Sequence, residues 1–353
     1  MNLQYIADKA GVSRMTVSRA LRNHPEVSES TKRKVLEVAE EHGYSPNPMV
    51  SILMSQVARS KRATYRPTLI FAVSGQRFSA SEVEAGRSGG SIIGARNRAA
   101  ELGYNLEVME FQSNNMSQKR FSDILAARRT PGLIISPSED PHANYSFDFK
   151  NISAVAIGYS IREPKLNRVC LDYYVCMMKT LESLWQEGYR RFGLILREET
   201  DSRILHLWSS GFLTFHWSNA QQGRDNILIT ETLKEPQFAS WFKKSRPEVI
   251  LSYNDTEYCE WERKLRSPKT RPCRFVHLDQ DFIHNENALI GSIESARYEL
   301  GQAAVDQLVG LIKRNSTGIP KRQHTVLIEP RYLPTQSSPQ EPTEKKKKSL
   351  PAT

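Results

Sequence analysis

The sequence predicts an all-α helix-turn-helix headpiece followed by an α/β core of two lobes. Three observations carry that expectation. Two short runs of apolar residues at helical spacing flank a sharp turn within the first 44 residues; strand-like and helix-like segments alternate from Pro67 onward; and the alternation runs through twice at similar length.

In the headpiece, Leu3 to Ala10 places Ile6, Ala7 and Ala10 at helical spacing, Gly11 supplies the turn, and Ser13 stands where an N-cap starts a second helix, Arg14 to Leu21. Val17, Ala20 and Leu21 share one side and pack on the first helix, which leaves Arg14, Met15, Ser18 and Arg19 to project outward. Thr31 to His42 reads as a third helix, with Val35, Leu36 and Ala39 inward and Gly43 as its C-cap. Asn47-Pro48 then opens a short helical segment, Pro48 to Gln56, because asparagine is a favoured N-cap and proline costs nothing at the first helical position. Met49, Val50, Ile52, Leu53 and Met54 make this segment too apolar for an open linker, and an isolated helix this short is marginal in water. A twin helix or another surface must cover it. Ala58 to Arg66 is a basic connector.

In the core, Thr68 to Val73 is a strand, Gly90 to Leu102 a helix closed by Gly103, Asn105 to Met109 a strand, Gln118 to Arg128 a helix and Gly132 to Ile135 a strand. After the strand Ala154 to Ile157 the pattern repeats: Met177 to Glu187 is a helix, Arg191 to Leu196 a strand, Leu205 to Gln221 a helix, and Val249 to Leu251 and Phe275 to Leu278 are strands. Two successive halves imply two lobes with a cleft between them. Residues 334–353, rich in Ser, Pro, Gln, Glu and Lys with a Lys345 to Lys348 run, read as a disordered tail, solvated or holding DNA without sequence preference. The expected organisation is a headpiece at 1–46, a hinge helix and linker at 47–66, the core at 67–333 and the tail at 334–353.

The 353 residues are 39% apolar and 25% charged, ordinary for a globular chain. No apolar run approaches the ~18 residues of a membrane span. No basic start followed by an apolar stretch marks the amino terminus, so a cytoplasmic chain without membrane partners is expected. Cys170, Cys176, Cys259 and Cys273 lack metal-binding spacing and read as buried reduced thiols; no metal and no cofactor is expected. The net charge of +10 is concentrated: residues 1–66 hold 11 Lys and Arg against 6 Asp and Glu, whereas 67–333 hold 34 against 31. A basic headpiece suits a polyanion, although charge alone leaves an ordinary solvated face equally open.

The run Ile6-Ala7-Asp8-Lys9-Ala10-Gly11-Val12-Ser13, then Thr16-Val17-Ser18-Arg19-Ala20-Leu21, Val27-Ser28 and Gly43-Tyr44-Ser45-Pro46-Asn47 resembles the headpiece of the lactose-repressor (LacI/GalR) family in order and spacing. In the core, Gly94-Ala95 through Tyr104, Gly188-Tyr189-Arg190-Arg191-Phe192, Asn254-Asp255 and Leu300-Gly301 extend the resemblance to about Leu333. It implies a homodimeric, sequence-specific DNA-binding repressor with a core of the periplasmic sugar-binding-protein fold. Under it, Ser13, Arg14, Met15, Thr16, Ser18, Arg19 and Asn47 contact a pseudo-palindromic operator, and Leu53 wedges into the minor groove. A hydrophobic contact between domains is the other reading of Leu53. Val50-Ser51 departs from the family's usual Ala-Arg.

Ligands of open α/β lobes bind beyond the carboxyl ends of strands, and those ends are polar here: Ser74, Gln76, Ser136, Ser138, Tyr159, Ser160, Asp172, Tyr173, Asn254, Asp255 and Asp279. Such groups trade hydrogen bonds with hydroxyls, and aromatic faces cover sugar rings. By resemblance Asp172, Asn254 and Asp279 contact the effector; capping of loops and helix starts is the competing role. Where sugar-binding members place an arginine three residues before a Gly-Phe, this chain has Trp208 before Gly211-Phe212. Arg197 and Arg203 are nearby but out of register. Losing a bidentate donor and gaining a ring weighs against a standard small sugar. The expected effector is a carbohydrate or derivative held by Ser74, Ser136, Tyr159, Asp172, Tyr173, Trp208, Asn254 and Asp279. A partner protein in place of the effector, or an enzyme fused to the headpiece, are the alternatives. The sequence holds no nucleophile-elbow, phosphate-loop or zinc-protease motif, so no enzyme is expected.

Overall fold

The computed structural model describes residues 3–21, 24–42, 66–74, 89–112, 116–138, 140, 143–219, 226–254, 256–268, 270–283 and 289–335. The expected hinge helix with Asn47 and Leu53, the Gly43 cap, Gln76, Asp255 and the tail beyond residue 335 lie outside them.

The headpiece is three helices: α1 (Leu3–Ala10), α2 (Arg14–Leu21) and α3 (Glu29–Glu41). Ile6, Ala7, Ala10, Val17, Ala20, Val35 and Ala39 form its core, as their spacing requires. Gly11 takes φ +67° in the turn, a conformation that costs a side chain but not glycine. Ser13 caps α2, its Oγ accepting the Thr16 N–H at 3.0 Å. The third helix starts two residues earlier than expected because Ser28 caps it, accepting from Thr31 N–H. Leu36 is 50% exposed rather than inward, and Val38 packs in its place. With 3.6 residues per turn, Val38 and Ala39 fall under Val35, while Leu36 is rotated about 100° away.

The core contains two six-stranded sheets. Lobe 1 is built from β1 (Thr68–Ser74), α4 (Gly90–Glu101), β2 (Asn105–Phe111), α5 (Gln118–Ala127), β3 (Gly132–Ile135), β4 (Ala143–Asn144), β5 (Ser153–Ile157), β6 (Ile161–Glu163) and β7 (Asn167–Leu171). Lobe 2 follows with α6 (Tyr173–Gln186), β8 (Phe192–Arg197), α7 (Glu198–Arg203), α8 (Leu207–Ser218), β9 (Ile227–Thr230), α9 (Glu235–Ser245), β10 (Val249–Ser252), α10 (Glu257–Leu265), β11 (Arg274–His277) and β12 (Leu289–Ile293). The chain then returns: α11 (Arg297–Lys313) packs on lobe 1 and β13 (Thr325–Ile328) joins β7, before β14 (Tyr332–Pro334) pairs antiparallel with β12.

The two halves are therefore not successive, as the sequence suggested. The sheet of lobe 1 runs β13-β7-β5-β3-β1-β2 and that of lobe 2 β14-β12-β11-β10-β8-β9, so the backbone crosses between lobes three times, near residues 172, 295 and 330. Two of the crossing segments meet a third: Asp172 N–H donates to Ile328 O at 2.9 Å, and Glu294 N–H to Arg331 O at 2.8 Å.

Both faces of each sheet are covered, which is why the central strands read as continuous apolar runs. In lobe 1, Leu69, Phe71 and Val73 pack under α4 and α11, while Ile70 and Ala72 face Phe111, Phe121 and Phe147. In lobe 2, Leu194 and Leu251 pack with Leu181, Leu184 and Phe212, and Ile195 and Ile250 with Phe238 and Trp241. The four cysteines are buried and none forms a disulfide; burial pushes the Cys170 and Cys176 thiols up to about 12, where they stay protonated. Among the described residues no helix is long and apolar enough to cross a membrane, and no His/Cys/Asp/Glu cluster is arranged to hold a metal.

Candidate functional site

Two surfaces are candidates for function. On the headpiece, α2 is held to its neighbours by Val17 and Ala20, which turns Ser13, Arg14 and Met15 outward at its start, Met15 with 65% of its surface exposed. Ser13 and Thr16 are joined through their hydroxyls at 2.8 Å, and Thr16 is half-buried. Arg19, one turn on, is half-exposed and reaches Glu26 in the loop before α3, Nη1 to Oε2 at 3.1 Å. Ser18 lies on α2; its side chain is outside the described residues.

The second surface is a cleft of about 840 Å³ between the lobes. Lobe 1 lines it with hydroxyls at strand ends: Ser74 after β1, Ser136 and Ser138 after β3, Tyr159 and Ser160 after β5. Ser74 Oγ donates to Gln112 Oε1 at 3.3 Å, and the Ser160 hydroxyl accepts the Ser138 N–H at 2.8 Å. Lobe 2 lines it with Tyr173, Arg197, Arg203, Tyr253, Asn254 and Asp279. Of the eight expected effector residues, seven line the cleft.

Asp172 does not. Its carboxylate caps α6 by accepting the Val175 N–H at 3.1 Å, so the competing capping role is the one it performs. Its cap starts α6 at Tyr173, four residues ahead of the helix expected from Met177, and that start sets Tyr173 at the cleft. Asn254 does both jobs, lining the cleft while its Oδ1 accepts the Thr256 and Glu257 N–H groups at 3.2 Å.

Trp208 lines the cleft yet is only 1% exposed, so it is a supporting wall rather than the open stacking face expected. Its ring meets Tyr173 edge-on at 5.0 Å, and its Nε1–H donates to Tyr253 Oη at 2.9 Å. The rings that do reach the cleft are Tyr159, Tyr173 and Tyr253, each half-buried, with phenols raised by burial. Asp279 is paired with Arg297, Oδ2 to Nη2 at 2.5 Å, and its Oδ1 also accepts the Asp281 N–H at 3.2 Å. Burial raises its carboxyl above the ordinary range despite the opposing pull of Arg297.

Sequence reasoning missed Tyr253 and Arg297. Tyr253 follows β10 directly, and the strand-end rule that selected Asn254 reaches it as well. Arg297 opens α11 after a residue, Ala296, at φ +43°, and no local pattern sets it apart from other arginines. Arg197 and Arg203 reach the cleft although out of register, because the short α7 folds the chain over the cleft before α8 begins. Left-handed Leu205 and His206 separate the two helices, so α8 starts at Leu207, not Leu205.

Residues 2–47 match the family described as bacterial regulatory proteins, lacI family. The chain is 27% identical over 209 residues to the HTH-type transcriptional repressor CytR of Escherichia coli, covering 59% of this chain and 57% of that protein. Over 47 residues, 13% of this chain and 14% of the other, it is 55% identical to an HTH-type transcriptional regulator of Lachnoclostridium phytofermentans. The aligned region with CytR thus spans little more than half of that relative. The fold is similar to that of the lac repressor dimer bound to operator and the anti-inducer ONPF, at TM-score 0.50 and 20% identity, covering 94% of this chain and 97% of the other.

Proposed function

From a chain that carries a LacI-family headpiece on an α/β core of the LacI-regulator fold, we propose a cytoplasmic transcriptional repressor. Two headpieces of a homodimer engage a pseudo-palindromic operator, and a small effector, a carbohydrate or derivative, binds between the lobes and alters that engagement. The observation that carries the reading is the outward set of Arg14 and Met15 at the start of α2, the end of a recognition helix that meets base edges in the major groove. Arg19 is the strongest candidate for a base contact. It must leave Glu26 to reach a guanine, and an exposed pair of this kind holds only ~0–1 kcal/mol, against ~1–3 kcal/mol for a bidentate arginine–guanine contact. The exchange favours DNA.

Three backbone crossings give the two lobes a common hinge, and the headpiece linker enters lobe 1 at β1. A ligand that prefers one lobe arrangement shifts the population toward it and resets the spacing of two linkers in a dimer. Asn47 and Leu53 carry that spacing to the operator, Leu53 as a minor-groove wedge, on the strength of the headpiece resemblance. The test is a gel shift with an operator selected from random DNA. Arg19→Ala should weaken binding to the selected site roughly tenfold or more while leaving nonspecific binding within about twofold, as loss of a base contact requires. Equal loss on both DNAs reduces Arg19 to a phosphate contact.

A further inference from the structure

The arginines of the cleft differ in what they hold. Arg297 is engaged with Asp279 and Asp281. Arg203, half-buried at the end of α7, lines the cleft close enough to Tyr173 and Tyr253 for its charge to act on both phenols, and it pairs with no carboxylate among the described residues. Arg197 lines the more exposed edge in the same unpaired state. A partly desolvated guanidinium, with five donors in a planar fork, calls for a carboxylate or phosphate. Among the described residues the cleft's own carboxylates do not supply one: Asp279 is committed to Arg297, Glu199 stands on the exposed rim, and Glu294 lines the cleft without an ion pair to either arginine.

The facing wall has the opposite character. Ser74, Ser136, Ser138 and Tyr159 present hydroxyls and no charge. Behind Ser74 and Ser138 lies the Tyr145 phenol, 3% exposed, whose oxygen is next to both hydroxyls yet makes no well-formed hydrogen bond. Tyr145 does not itself line the cleft, so it backs the Ser74 and Ser138 hydroxyls and keeps this wall uncharged.

We infer that the effector is an acidic, hydroxyl-bearing small molecule, with its carboxylate or phosphate on Arg203 of lobe 2 and its hydroxyls on the serine wall of lobe 1. This rests on the reading of the cleft as an effector site and narrows its chemistry. Such a ligand touches both lobes with different groups and so stabilises one lobe arrangement over the other. A neutral sugar finds Asp279, its best acceptor, already taken.

Calorimetry on the full chain tests the inference with matched probes: D-glucose against D-glucuronate, D-galactose against D-galacturonate, and D-glucose and D-ribose against their 6- and 5-phosphates. At least one acidic probe should bind about tenfold or more tightly than its neutral partner, and the uronate and phosphate arms tell the two anions apart. Arg203→Gln should reduce that probe to the neutral level, Arg203→Lys should keep part of the preference, and both should unfold at the parent's midpoint. If no acidic probe exceeds its neutral partner, binding or not, the inference is overturned. Operator binding is read on the same preparation by gel shift. A neutral sugar that binds and changes operator affinity therefore removes only the acidic assignment, whereas loss of operator binding altogether removes the regulator reading itself.

Discussion

Gly301→Ala probes the crossing of α4 and α11, the contact that joins the start of α4, and with it Ser91 on the cleft wall, to the last long helix of the core. A methyl group at residue 301 would stand 2.7 Å from Ser91 C and 2.8 Å from Ala95 N, and closer still to Ser91 O. All three are backbone atoms inside a helix, so no rotamer relieves the clash. Gly94 faces the Tyr298 backbone in the same crossing, which leaves neither helix room to slide toward the other. Restoring ordinary carbon contacts at ~3.5–4.0 Å requires the helices to part by roughly 1 Å. That loosens Ala95, Ala99, Ala304 and Val305, all buried in the lobe 1 core. Overpacking of this kind costs about 1–3 kcal/mol, and the higher helix propensity of alanine returns about 1 kcal/mol at most. A clash with backbone belongs in the upper half of that range, and the remaining net loss of about 1–2 kcal/mol lowers Tm by roughly 2–8 °C in a core of this size. Gly310→Ala on the same helix is the control. Its Cβ would meet only the mobile Arg314 guanidinium, at 3.5 Å, so propensity alone predicts about 0.5–1 kcal/mol of added stability. Thermal unfolding followed by far-UV circular dichroism reads both. Equal midpoints for Gly301→Ala and the parent would refute the reasoning, because they would mean that the crossing yields freely.

Trp208→Phe keeps a ring against Tyr173 but removes the donor to Tyr253 Oη, so it should cost about 1–2 kcal/mol in urea unfolding; unchanged stability with altered ligand affinity alone would restore Trp208 as an open stacking face. Glu248 bonds the Arg190 and Arg191 N–H groups at 2.8 and 3.0 Å; burial raises its carboxyl, but those amides and the Arg191 charge outweigh it and leave the group below its ordinary value of 4.5. A lowered folded-state value contributes stability that is present above the unfolded value and lost as pH falls through the folded one. Glu248→Gln should therefore be less stable than the parent near neutral pH and converge with it as pH falls from 4.5 through the lowered folded-state value; urea midpoints that stay parallel down the acid limb would show that the carboxylate is not linked to folding.

The headpiece was legible in the sequence because each of its decisions is local. Gly11, Ser13 and the spacing of Ile6, Ala10, Val17 and Ala20 settle two helices and their packing within twenty residues, and α1 and α2 fall on the expected boundaries. Leu36 went wrong because Val35, Val38 and Ala39 already fill the inward face of the third helix. In the core, strands buried on both faces announce themselves by apolar runs, as Gly132–Ile135 does, but β13 and β14 do not, because β13 is an exposed edge strand and β14 only three residues long. Their assignment depends on partners 157 and 43 residues away, at Cys170 and Gly291, which no window of sequence contains.

The same distance explains why the cleft was only half legible. The strand-end rule finds residues that reach the cleft from their own strand, and Ser74, Ser136, Tyr159 and Asn254 obey it. It cannot tell whether a carboxylate is free. Asp172 and Asp279 look alike in sequence, each an aspartate near the end of a strand, but one is spent on its own helix start and the other on Arg297 eighteen residues later. Asp172 still governs the cleft without entering it. Its side chain starts α6 at Tyr173 and its N–H ties that start to Ile328 at a hinge crossing, so the orientation of a cleft-lining ring and the path of the backbone between lobes are fixed by one residue. The Tyr173 ring, braced edge-on by Trp208, thus stands one residue from a backbone crossing between the lobes, joined to it by covalent geometry rather than by a chain of side-chain contacts.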